Sequence, residues 1–82
     1  MPNDARISWL LLRLARSLQA LAEYERGSWV DPEPFLREAR AVWAELGWRR
    51  LTIEQVVSRI KEDPAFLDKV LDEIAKDFEE AT

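Results

Sequence analysis

Glycine and proline divide this 82-residue chain into four segments, each long enough for a helix. Gly27 and Gly47, the only glycines, follow segments with helical apolar spacing, and glycine commonly ends a helix at such a position. Pro32 and Pro64 each follow an aspartate, and an N-cap residue before proline commonly begins a helix. Because helix-favouring Ala, Leu, Glu and Arg fill the segments, the sequence predicts an all-α fold.

The four predicted helices share an apolar face with i, i+3, i+4, i+7 spacing and a capping residue at the start. They cover residues 4–26, 32–46, 53–62 and 64–80. A chain of this length forms one domain, so we predict a compact bundle with short loops. A split first helix, or an extra turn at 48–51, would give five helices. We expect the first and longest helix to lie at the centre of the bundle.

Three of the four tryptophans are explained by packing in this scheme. Trp48 follows the glycine that ends the second helix, and we expect it to fold back on Trp43 in a Schellman motif. Trp29 lies in the first loop and is expected to close one end of the bundle. Val30 and Phe35 have the spacing of a hydrophobic staple at the start of the second helix.

The stretch around Trp9 is apolar on two sides of the first helix. At about 100° per residue, one face holds Ile7, Leu10, Leu11, Leu14, Leu18, Leu21 and Ala22. The opposite side holds Ala5, Trp9, Leu12 and Arg16, with Ala20 and Glu23. A narrow strip of polar or amphipathic residues separates them and comprises Arg6, Arg13, Ser17 and Tyr24.

Two interpretations of this second face remain open. In the first, the helix is buried all round, as helices without a polar face normally are, and Trp9 belongs to the core. In the second, Ala5, Trp9, Leu12 and Arg16 form a surface that contacts a partner protein or a second copy. We favour burial, because large exposed apolar patches are uncommon on monomers.

The chain contains no cysteine and no histidine. Their absence removes disulfides, thiol nucleophiles, the commonest metal ligands and the commonest general base. Only carboxylates remain as plentiful catalytic candidates, and Asp68, Asp72 and Asp77 alternate with lysines on what we interpret as a solvated face of the last helix. We therefore predict no catalytic residue, no metal site, no cofactor and no enzymatic activity.

Charge is unevenly distributed along the chain. Residues 1–60 contain nine Arg and eight acidic residues, whereas 61–82 contain three Lys and eight acidic residues. The acidic final segment disfavours nucleic acid, whose affinity for proteins depends on contacts to phosphate. The longest apolar run, Trp9–Leu12, is too short to span a membrane, and no signal peptide is recognisable. We expect a soluble protein, cytoplasmic if expressed in a cell.

The consistency of these local signals resembles that of de novo designed helical proteins. Each predicted helix has a capping residue, both glycines stand at helix ends, and loops are short. The resemblance covers the whole chain and is one of style rather than of a motif. Two features depart from it, because Arg is the only basic residue before position 60 and four tryptophans are many for 82 residues.

Three functional hypotheses follow. The first is a stable, monomeric scaffold with no catalytic activity, which requires no partner and in which every apolar residue serves the fold. The second is a protein-protein interaction module, a homodimer or a partner binder, that uses Trp9 and Leu12. The third is a carrier of a small apolar ligand, which requires a cavity between helices.

Overall fold

The computed structural model describes residues 4–29 and 31–81, and in these ranges it contains four helices and no strand. The helices are α1 (Asp4–Glu25), α2 (Pro32–Leu46), α3 (Ile53–Glu62) and α4 (Phe66–Ala81). The prediction of an all-α bundle of four helices is confirmed. The predicted staple between Val30 and Phe35 involves a residue outside the described ranges.

The longest helix, α1, is the centre of the bundle, as predicted. It packs against all three other helices and most extensively against α2, while α4 packs against α1 and α3. The core consists of one face of each helix, and its largest fully buried apolar side chains are Leu14, Leu18, Val42, Val56, Val70 and Ile74. The molecule is elongated, with dimensions of 40 × 22 × 17 Å.

The end of α1 has the geometry that the position of Gly27 predicts. Gly27 has a φ of 95°, a left-handed conformation that glycine adopts without the steric cost of a Cβ. Its N–H donates to the carbonyl oxygen of Tyr24 at 2.9 Å, and the Ser28 N–H donates to that of Glu23 at 3.0 Å. These two hydrogen bonds define a Schellman motif, in which the final carbonyls of a helix are satisfied.

Arg26 connects this end of α1 to the end of α3. Its guanidinium donates to the carbonyl oxygen of Ile60 at 2.7 Å and to that of Lys61 at 3.1 and 3.2 Å. The last carbonyls of a helix have no partner within the helix and carry partial negative charge, so a cation is stabilising there. Arg26 therefore satisfies the C-terminus of α3 and fixes it against α1.

The loop from α2 to α3 brings two tryptophans together. The Trp43 and Trp48 rings make an edge-to-face contact with centroids 5.6 Å apart and planes at 80°, so the predicted contact is confirmed. The predicted Schellman motif is wrong. Gly47 donates to the carbonyl oxygen of Trp43 at 2.9 Å, which is the single hydrogen bond of the simpler αL ending.

The start of α3 agrees with the sequence prediction, whereas the start of α4 lies two residues later than predicted. Thr52 and Gln55 form the predicted capping box, with both reciprocal hydrogen bonds present. The last helix begins at Phe66 rather than at Pro64. The Phe66 N–H donates to the carbonyl oxygen of Asp63 at 2.9 Å, so a tight i to i+3 turn precedes the first α-helical turn.

Ser17 is fully buried, although the sequence pattern places it in a polar strip. Its hydroxyl donates to the carbonyl oxygen of Arg13 at 3.0 Å, so no unsatisfied donor is buried with it. Because the hydroxyl bonds to a carbonyl of its own helix, this buried serine needs no water molecule as a partner. The buried face of α1 is therefore wider on this side than the apolar residues alone predict.

Replacing Arg26 with alanine is expected to lower the free energy of unfolding by about 1 kcal/mol, since its hydrogen bonds to the α3 carbonyls are partly exposed to solvent. Urea unfolding measures this change. Arg49→Ala is the control, because Arg49 is exposed and makes no ion pair in the described part of the chain. Equal effects of the two substitutions would contradict the capping role of Arg26.

Candidate protein-binding surface

The outer side of α1 is exposed. Trp9 is 57% and Leu12 63% exposed, and Ala5 and Arg16 are exposed beside them. We call these four residues the α1 outer surface. The expectation that Trp9 is buried is wrong, because the other three helices pack on the opposite side of α1, over Leu10, Leu14, Leu18 and Leu21.

The four residues of the α1 outer surface are neighbours along three turns of the helix. Ala5 and Trp9 are four residues apart, Trp9 and Leu12 three, and Leu12 and Arg16 four. Side chains at these spacings lie next to each other on one helix face. The surface extends about 16 Å along the axis at 1.5 Å per residue, and its apolar centre is the pair Trp9 and Leu12.

Arg13 fixes one side of the exposed indole. Its guanidinium carbon lies 4.6 Å from the centroid of the Trp9 ring, within the range of a cation–π interaction. Arg13 Nε also donates to Glu38 Oε1 of α2 at 2.7 Å, and both side chains are only partly exposed. Because the α2 carboxylate holds Arg13, the ring of Trp9 has a fixed orientation on the surface of the domain.

A second ion pair borders the same surface. Arg6 donates to Glu45 of α2 with a nitrogen–oxygen distance of 2.7 Å. The two arginines are seven residues apart on α1, and their glutamates are seven residues apart in the reverse order on α2. The pairs therefore lie along one edge of an antiparallel α1–α2 contact.

The charge on the α1 outer surface is positive. Residues 5–22 of α1 contain three arginines and no acidic residue. Glu45 and Glu38 neutralise Arg6 and Arg13, but Arg16 makes no ion pair within the described part of the chain. An unpaired guanidinium therefore lies one helical turn from Leu12, at the edge of the apolar pair.

The α1 outer surface is a helix face and not a pocket. Two grooves of about 410 and 400 Å³ flank the loop between α2 and α3, and both include Trp48. A third, of about 290 Å³, lies between α1, α2 and α3 beside Tyr24. None of the three includes Trp9 or Leu12. An exposed helix face of this kind suits another macromolecule better than a small ligand.

Asp77 has a structural role that its spacing along α4 does not predict. Trp48, which is buried, donates from Nε1 to Asp77 Oδ2 at 2.6 Å, and Arg50 donates to Asp77 Oδ1 at 2.9 Å. The carboxylate thus fixes α4 to the loop between α2 and α3. Asp72 does lie on the solvated face, where Lys76 pairs with it at 3.4 Å.

The described residues contain no group of three carboxylates placed to hold a metal ion. None of their helices is long and apolar enough to cross a membrane. No family model matches this sequence, and neither a curated protein nor a solved structure matches it.

Asp77→Ala is expected to lower the free energy of unfolding by about 1–3 kcal/mol, because it leaves the buried indole N–H of Trp48 without an acceptor. Asp72→Ala removes only an exposed pair of the same helix and is expected to change stability by less than about 0.5 kcal/mol. Chemical denaturation of both variants measures the difference. A loss in Asp72→Ala as large as in Asp77→Ala would contradict the assignment.

Proposed function

We propose that this protein is a non-catalytic helical domain that binds a partner protein through the α1 outer surface. The observation that carries this proposal is the exposure of Trp9 and Leu12 on one face of the helix around which the rest of the domain packs. Every other leucine, isoleucine and valine of the described chain lies in the core or packs against it, so Leu12 is the exception among these residue types, and Trp9 is exposed beside it.

The residue types on this surface support binding to a protein. Trp and Arg are enriched among the residues that dominate binding energy at interfaces. The Trp9 ring is held by Arg13, which in turn is held by Glu38, so little side-chain freedom is lost when a partner contacts it. The rigid helix beneath gives both anchors a fixed spacing.

The charge and area of the surface indicate the class of partner. A standard interface buries about 800 Å² of each protein, and two partly exposed side chains supply well under half of that area. A single amphipathic helix, laid across α1 with apolar residues over Trp9 and Leu12, matches this size. Arg16, which makes no ion pair in the described part of the chain, favours a partner helix that carries acidic residues beside its apolar ones.

A second copy of this chain fits the α1 outer surface less well. None of the four residues of the α1 outer surface is acidic, so this surface supplies no side chain to pair with Arg16 of the other copy. We therefore propose a different protein as the partner at this surface.

The proposal is tested by selecting displayed amphipathic helical peptides on the immobilised protein and measuring the affinity of the selected peptides for variants. Trp9→Ala and Leu12→Ala are expected to weaken binding by at least about tenfold each, and Arg16→Glu to weaken the more acidic peptides most. Trp29→Ala is the matched control, because it removes an exposed tryptophan from another part of the molecule. All variants should keep the helicity of the parent chain.

Peptides that bind Trp9→Ala as tightly as the parent chain would contradict the proposal. A selection that yields no binding peptide would also contradict it, and would favour the second candidate, a scaffold whose residues serve only the fold, in the manner of a designed protein. One observation supports that alternative: in the described residues, every buried side-chain nitrogen and oxygen atom has a hydrogen-bond partner.

A further inference from the structure

The loop between α1 and α2 presents a fully exposed tryptophan, Trp29. The expectation that this side chain closes one end of the bundle is therefore wrong. The loop is held on both sides of it. Ser28 donates its N–H to the Glu23 carbonyl oxygen at 3.0 Å, and the Glu33 N–H donates to Asp31 Oδ1 at 3.1 Å. With the loop held in this way, the indole is fully exposed and does not line the groove of its own chain.

An apolar groove lies at the same end of the domain. It has a volume of about 290 Å³ and lies where α1, α2 and α3 meet. Its apolar lining includes Leu21, Tyr24, Pro32, Leu36 and Val57. Tyr24, which is 46% exposed, and Pro32 lie within five residues of Trp29 along the chain, so groove and indole flank one loop.

The groove has the apolar lining and the hydrogen-bond acceptors that a bound indole ring needs. Its lining supplies apolar contact for the ring, and Glu54 at its edge supplies carboxylate oxygens that can accept the indole N–H. The other two charged residues of the lining are Arg40 and Glu25, and Glu25 pairs with Lys61 at 3.8 Å. An indole in water exposes a large apolar area, and the burial of that area is favourable. Trp29 and the groove are thus an anchor and a matching receptor in one chain.

We propose that two copies of this chain associate by placing Trp29 of each copy in the groove of the other. The exchange is reciprocal, so a twofold axis closes it and produces a dimer rather than a filament. A second copy is the occupant that fits best because each copy carries both complementary parts at the same end. The contact is independent of the α1 outer surface, which shares no residue with it.

Light scattering on a sizing column, over loading concentrations of roughly 1 μM to 1 mM, tests the proposal. The parent chain is expected to shift from monomer to dimer within this range. Trp29→Ala, which removes the anchor, is expected to raise the dissociation constant by at least about tenfold. Tyr24→Glu, which places a charge at the groove, is expected to do the same.

A mixture of the two variants distinguishes reciprocal exchange from any other dimer. Trp29→Ala retains an intact groove and Tyr24→Glu retains an intact anchor, so their heterodimer has one complete contact that neither homodimer has. The mixture is therefore expected to associate more strongly than either variant alone. Trp9→Ala should dimerise like the parent chain, which separates this result from that of the partner surface.

Three results would overturn the proposal. The parent chain could remain monomeric over the whole range, Trp29→Ala could dimerise as tightly as the parent, or the mixed variants could associate no better than each alone. Circular dichroism of Trp29→Ala and Tyr24→Glu checks that both substitutions, at exposed positions, leave the helical fold intact.

Discussion

The structure depends on α1, a helix that has apolar residues on more sides than the three helices packed against it can cover. Leu10, Leu14 and Leu18 are buried, and α2, α3 and α4 all pack against this helix. Two other large apolar residues, Trp9 and Leu12, lie on the uncovered side. Burial of one side supplies the main stabilising free energy of the domain, while the other side stays exposed to solvent.

Polar contacts fix where the other helices lie around α1. Arg26 holds the end of α3, Glu38 holds Arg13 at the edge of the α1–α2 contact, and Asp77 joins α4 to the loop that carries Trp48. Apolar contacts are non-directional, so they favour a compact bundle without selecting one arrangement. Hydrogen bonds to carboxylates and to helix ends are directional. The hydrogen bonds of Arg26, Glu38 and Asp77 all lie where two helices, or a helix and a loop, meet.

The sequence predicts where the helices begin and end better than it predicts which of their faces are buried. Caps and glycine positions are local signals, so Pro32 and Gly47 predict the start and the end of α2, and Thr52 predicts the start of α3. The exposure of Trp9 depends on which side of α1 the other helices occupy, and no local pattern encodes that choice. Helical spacing therefore places the four residues of the α1 outer surface on one helix face correctly, but it does not predict that they are exposed. The hydrogen bonds of Asp77 to Trp48 and Arg50 also depend on how the helices pack, and the sequence does not predict them either.

Hydroxyl-radical footprinting of the dilute protein, with oxidation quantified at each tryptophan by mass spectrometry, measures the exposure of α1 most directly. Trp9 should oxidise at a rate approaching that of Trp9 in the urea-unfolded chain, and Trp48 should be strongly protected. This result would establish that one side of α1 is uncovered in the folded monomer. Protection of Trp9 equal to that of Trp48 would show that the chain's own helices cover it, and would contradict an uncovered α1 outer surface.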